Sequence, residues 1–131
     1  MVLLMTLTLA LACLTEAIYF EARSESIAGQ IAVAQVIMNR VSDDRWPNDT
    51  CSVVHQKHQF SYYWDGKPEV YKDKKSKQKA ARLAEMIYFG TVIDITDGSL
   101  YYHTLDSNPD WDWSKIKRTM TLDNHIFYKD K

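Results

Sequence analysis

The sequence predicts a small α+β domain, mostly α, with a short antiparallel ribbon near its C-terminal end. Three observations predict it. Apolar residues recur at three- and four-residue spacing from about Leu9 to Phe89. After Asp97-Gly98 the pattern changes to strand-like runs, Leu100 to Thr104 and His125 to Tyr128. The 131 residues, 46% apolar and 25% charged, are enough for one cored domain and too few for two.

The first helix is expected from about Leu9 to Ser24, with Leu11, Leu14, Ala17 and Ile18 as its apolar stripe. Three or four residues further, the same stripe lands on Glu21, a carboxylate where the pattern calls for an apolar side chain. After a break at 24–29, a second helix is expected from about Ala28 to Val41. Ile31, Val33, Val36, Ile37 and their neighbours leave it little polar surface, so it belongs at the centre of the domain. A loop follows from Asp43 to Asp49, and Thr50 is placed to cap a short helix through Val54 and His55. The stretch from Gln59 to Tyr71 is aromatic and irregular. Another helix is expected from about Ser76 to Phe89, stopped by Gly90.

Residues 1–12 form an apolar segment, either the start of the first helix or a weak signal or anchor, and 13–131 are expected to form the single folded domain. The run Met1 to Leu14 falls short of a membrane span, so no stable span is expected. Leu-Ala-Leu-Ala-Cys resembles a lipoprotein cleavage site, but cleavage there would leave almost no linker before the helix.

A net charge of −1 provides no basic footprint for nucleic acid. Lys67, Lys72, Lys74, Lys75, Lys77, Lys79 and Arg82 crowd one segment, which fits a solvated loop and helix start better than a docking patch. The two cysteines, Cys13 and Cys51, either form one disulfide or are small buried side chains; without a CxxC, a zinc finger or redox motif is not available.

Burial among apolar groups disfavours a carboxylate and raises its pKa above about 4.3, as a general acid requires. The plain alternative is that Glu21 pairs with Arg23 or Arg40 as a structural ion pair. Glu25, one turn on, is either a second catalytic carboxylate or a cap of the next helix, and the cap is favoured. His55 and His58 are three apart, but the chain has no HExxH. His103 and His125 lie in strand-like runs and converge only if those strands pair. Neither GxSxG nor a Gly-rich phosphate loop occurs. Aromatic residues concentrate at Phe60, Tyr62, Tyr63 and Trp64 and at Tyr101, Tyr102, Trp111 and Trp113, suited to sugar stacking or to core packing.

The runs AIYFEARSESIAGQIAVAQVIMNRV and WPNDTCSVVHQKHQFS, with GSLYYHT, NPDW and HIFY in that order, resemble the SleB-type cell-wall hydrolases. The likeness spans roughly Cys13 to Lys129. It implies a lysozyme-like, lytic-transglycosylase-type fold, peptidoglycan as the polymer bound, and Glu21 as the catalytic glutamate. Ser24 stands where the family usually has Gly, which bears on the turn after the catalytic helix. Spore enzymes of that family carry a separate peptidoglycan-binding domain, for which this chain leaves no room. The compact form resembles phage lysis or tail-associated proteins as well as bacterial enzymes, acting on the wall in the periplasm or outside the cell.

The expected reaction is cleavage between N-acetylmuramic acid and N-acetylglucosamine, with no metal or cofactor, by a monomer. Gln59, Ser61, Tyr102, His103, Glu25 and His125 are expected to hold the substrate or the developing charge. A muramidase using water, a zinc amidase or endopeptidase built on His103 and His125, and a non-catalytic peptidoglycan-binding module remain as alternatives.

Overall fold

The computed structural model describes residues 2–56, 60, 62 and 70–131, with residues 2 and 3 described in backbone only. Among the described residues four helices are followed by three strands: α1 (Val2–Ala22), α2 (Ile27–Val41), α3 (Thr50–Val54), α4 (Lys74–Tyr88), β1 (Tyr101–Thr104), β2 (Ile116–Leu122) and β3 (His125–Asp130). The strands form one antiparallel sheet in the order β1-β3-β2. The architecture is thus the mainly helical α+β domain with a small ribbon that the sequence predicts, with one strand more.

The extra strand, β2, is IKRTMTL, whose charged and polar side chains leave only a weak apolar alternation. It pairs with β3 through a bulge between Arg118 and Met120, close to where the Thr119 hydroxyl meets that of Ser99 at 2.6 Å.

α2 is the central helix, as its composition predicts, packing on α1, α3 and α4 and touching β1. Ala32, Val33, Ala34, Val36 and Ile37 are fully buried in the same core as Leu14, Ala17 and Ile18 of α1 and Phe127 of β3. Ser26 caps α2, its side chain accepting from the Gly29 N–H at 3.1 Å. The Asp123 carboxylate, from the β2–β3 turn, accepts in turn from the Ser26 N–H and hydroxyl at 2.9 and 2.6 Å. The sheet is therefore tied to the mouth of the central helix.

One expected cap shifts by a residue, and one helix starts early. Asp49, not Thr50, caps α3, because its carboxylate reaches the Ser52 N–H. Asp73 caps α4 through the N–H groups of Lys75 and Ser76, so the helix begins at Lys74, two residues ahead of the expected start. Gly90, with φ 69°, ends α4 as expected.

α1 starts at Val2 rather than about Leu9 and runs without a break past residue 12. By length and composition Leu4–Ala22 is apolar enough to cross a membrane, and 39% of that stretch is buried in the fold. This exceeds the reckoning from Met1 to Leu14 because the apolar character continues into the core-forming half. Leu4, Met5 and Leu9 are exposed, whereas Leu14, Ala17, Ile18 and Tyr19 are fully buried. Cys13 of α1 and Cys51 of α3 form a disulfide, with Cα atoms 5.2 Å apart.

Candidate active site

The site forms where the end of α1 meets the inner face of the sheet. Glu21 occupies the penultimate position of α1, half-buried, and its Oε1 accepts a 2.7 Å hydrogen bond from the Tyr102 hydroxyl. Burial pushes the Glu21 carboxyl above its ordinary value; the Tyr102 bond and the positive charge of Arg40 oppose that rise without cancelling it. The result is an acid that keeps its proton to higher pH than a solvated glutamate.

The ion-pair alternative can be weighed on the arginines themselves. Arg23 turns back to the Tyr19 hydroxyl and lies over that ring, 4.7 Å from its centroid. Arg40 is buried, donates from Nε to the Leu100 carbonyl at 2.7 Å, and sits near the rings of Trp46 and Phe60. Among the described residues, no cation comes within ion-pair distance of the Glu21 carboxylate. Arg40 acts on Glu21 through its field rather than by direct pairing.

The sheet sorts the expected site residues by face. Consecutive strand residues point to opposite sides. Tyr102 points inward with its cross-strand partner Phe127 and with His125. His103 points outward: its Nε2 meets the Tyr128 hydroxyl at 2.8 Å, Nδ1 lies 2.8 Å from the Thr104 carbonyl, and Trp111 and Trp113 pack edge-on. The structure therefore does not bring His103 to Glu21, although the two strands pair as expected. Strand alternation was the signal that separates His103 from Tyr102.

His125 is buried on the inner face, its ring 4.9 Å from that of Tyr102. Burial lowers its pKa, and the negative charges of Glu25 and Asp123 oppose this. Glu25 lies past the end of α1, so it does not share a helix with Glu21, and Ser26 rather than Glu25 caps α2. Its carboxylate lies 3.3 Å from His125 Nδ1, off the direction of a hydrogen bond. Glu21, Tyr102, His125 and Glu25 thus form a chain along the inner face. Gln59 and Ser61 lie outside the described residues, as do His58, Tyr63, Trp64 and Lys67.

One group escaped the sequence reading. Glu16, also on α1, has its Oε1 3.1 Å from both the Tyr62 hydroxyl and His55 Nε2. Tyr62 stacks on Phe20 at 5.0 Å, and burial first, then the charges of Glu16 and Glu21, disfavour its phenolate. A second acid in an apolar helix was the available signal. For metal chemistry, no group of three or more His, Cys, Asp or Glu among the described residues is placed to hold an ion. His103 and His125, on opposite faces, do not converge.

The arrangement, a helical body whose half-buried glutamic acid faces a small sheet, can be set beside known proteins. Residues 24–128 match the Cell Wall Hydrolase family, and the chain belongs to that family. The matched span begins just after Glu21, so the family match does not itself bear on that residue. The spore cortex-lytic enzyme of Bacillus cereus is 33% identical over 119 residues, covering 88% of this chain and 42% of that protein. The Bacillus subtilis enzyme is 32% identical over 117 residues, covering 87% and 35%. The chain therefore spans less than half the length of these relatives. The catalytic domain of the germination-specific lytic transglycosylase SleB from Bacillus anthracis matches with TM-score 0.72 and 28% identity, over 92% of this chain and 93% of that one. The Bacillus cereus SleB catalytic domain matches with TM-score 0.71 over 92% and 89%. The fold is that of the SleB catalytic domain.

Proposed function

We propose that this domain cleaves the glycan strand of peptidoglycan between N-acetylmuramic acid and N-acetylglucosamine by lytic transglycosylation, with Glu21 as general acid and then base. The observation that carries the reading is the half-buried Glu21 carboxyl, raised in pKa and held by Tyr102. The likeness to SleB catalytic domains supports the substrate and the reaction.

In the first step Glu21 gives its proton to the glycosidic oxygen. The C1–O bond breaks, its electron pair stays with the leaving oxygen, and positive charge develops at C1. The Tyr102 hydroxyl holds one oxygen of the carboxyl. That leaves the other oxygen to carry the proton and steadies the carboxylate once the proton has gone. In the second step the carboxylate takes the proton of the muramoyl 6-hydroxyl, whose oxygen bonds to C1. A 1,6-anhydro end forms, and Glu21 is protonated again.

This route needs one carboxylate. Glu25, the second candidate, lies against His125 rather than beside Glu21 on α1. Glu25 and His125 instead support Tyr102 from behind, and Gln59 and Ser61 bind the sugar. The domain acts on the wall as a monomer, in the periplasm or outside the cell, whether encoded by a bacterium or by a phage. Glu21→Gln is expected to keep the fold and to lower release of soluble fragments from purified peptidoglycan by about 10²–10⁴-fold. Circular dichroism and a turbidity assay read the two halves of that statement. A variant that keeps most of its activity removes Glu21 from the reaction.

A further inference from the structure

The outer face of the sheet holds an aromatic group that the Glu21 reaction does not use. Tyr101, the neighbour of Tyr102 on β1, points away from Glu21 and meets Trp46 at 5.8 Å and Trp111 at 6.1 Å, centroid to centroid. These three rings line an open depression of about 460 Å³, within the range of small-ligand sites. We propose that this depression is a second glycan-binding site, one that holds the cell-wall polymer while another part of it is cut. The inference rests on the reading of the substrate given above.

Packing alone accounts for the inner part of the group, since Tyr128 is buried and His103 is pinned beneath Trp111 and Trp113. It does not account for the open part. Trp46 is held by the guanidinium groups of Arg40 and Arg45, 5.4 and 5.0 Å from its centroid, and so forms a fixed wall. Tyr101 and Trp111, tilted by 54° to one another, form two facets against which the apolar faces of successive sugars can rest.

The rim is polar and its exposed charges are paired, while Arg40, the buried cation of the lining, donates to the Leu100 carbonyl. Arg45 pairs with Asp43 at 2.9 Å and Asp130 at 2.6 Å, and the Tyr101 hydroxyl donates to Asp130 at 3.1 Å. Lys115 is 3.7 Å from Asp112 at the opposite edge. Unmatched cations would select an anionic polymer. Paired donors and acceptors beside flat rings suit neutral hydroxyl and acetamido groups, which is the chemistry of an N-acetylated glycan backbone. The site stands on the other side of β1 from Glu21, with Arg40 between the two.

The Glu21→Gln protein, which should bind without cutting, gives the test. Chitotetraose is titrated in as the soluble probe while the backbone amide and indole N–H signals are followed by NMR, and sedimentation with insoluble peptidoglycan is measured for it and for a Glu21→Gln, Trp111→Ala double variant. The proposal expects the Trp46 and Trp111 signals to move and the double variant to sediment at least about fivefold less. The NMR result needs no Trp111 variant, so a folding defect there does not blunt it. If only signals around Glu21 and Tyr102 move and the double variant sediments like its parent, the second site is refuted and the glycan reading stands. If the Glu21→Gln protein neither responds to the probe nor sediments, the glycan reading fails and the second site with it.

Discussion

Burial is the largest influence on the Glu21 carboxyl, and Tyr102 and Arg40 both oppose it. Each opposing group favours the ionised form, so removing one must raise the pKa further. Tyr102→Phe is therefore expected to move the alkaline limb of the pH–rate profile, where the acid loses its proton, to higher pH. Activity at the optimum should fall about tenfold or more, since a hydrogen bond to a charged group contributes about 1.5–3 kcal/mol. A rate loss with the limb unmoved would mean that Tyr102 acts on the sugar alone. At this scale the sequence revealed Glu21, because an acid interrupts a stripe of Leu14, Ala17 and Ile18. The neighbours were less legible. Tyr102 and His103 are adjacent in sequence and equally polar at their tips, and only the pleat decides which one reaches the helix. Glu16 interrupts the same helix as Glu21, but its partners, His55 and Tyr62, come from segments whose placement no local pattern encodes.

Among the elements, the contact between the β2–β3 turn and α2 fixes how the sheet faces the end of α1. Asp123, at φ 51°, presents its carboxylate to Ser26, and Gly29 lies directly beneath it. A Cβ at position 29 would collide with that carboxylate and crowd Glu25 as well. Gly29→Ala is thus expected to cost about 1–3 kcal/mol, the usual range for overpacking, read as a lower urea midpoint. It should also reduce activity, because the clamp it opens sets the distance between sheet and helix. An unchanged midpoint would show that the turn gives way freely. The helices were legible from spacing, and β1 and β3 from their aromatic runs. β2 was not, because its alternation is blurred by Lys117, Arg118 and the bulge that follows. The caps at Ser26 and Asp49 each lie one residue from the expected Glu25 and Thr50, and Asp73 lies seven residues before Ala80, where the apolar repeat of α4 begins, so pattern alone did not fix them.

Across the whole molecule, α1 serves two ends. Its first half carries exposed Leu4, Met5 and Leu9, and its second half is the core support of Glu21. The Cys13–Cys51 bridge fastens the middle of that helix to α3 over a separation of 38 residues. Loop-closure entropy for such a span is worth roughly 3–4 kcal/mol. Replacing both cysteines by serine is expected to lower stability by that order in urea unfolding; equal midpoints would mean the bridge does not form. The class of fold was legible because several independent segments agree with one family in order, and the length bounds the domain. The existence of the bridge was open, since the separation of two cysteines in space depends on how α1 and α3 pack.

The central claim is that Glu21 directs an intramolecular transfer rather than a hydrolysis. It is tested most directly by mass spectrometry of the soluble fragments released from purified peptidoglycan, with Glu21→Gln protein as the control. The account predicts 1,6-anhydromuramoyl ends that disappear in the control. Reducing muramoyl ends would contradict it by showing that water is the acceptor, and would turn attention to Glu25 as the second carboxylate. Free peptides with intact glycan strands would contradict it altogether.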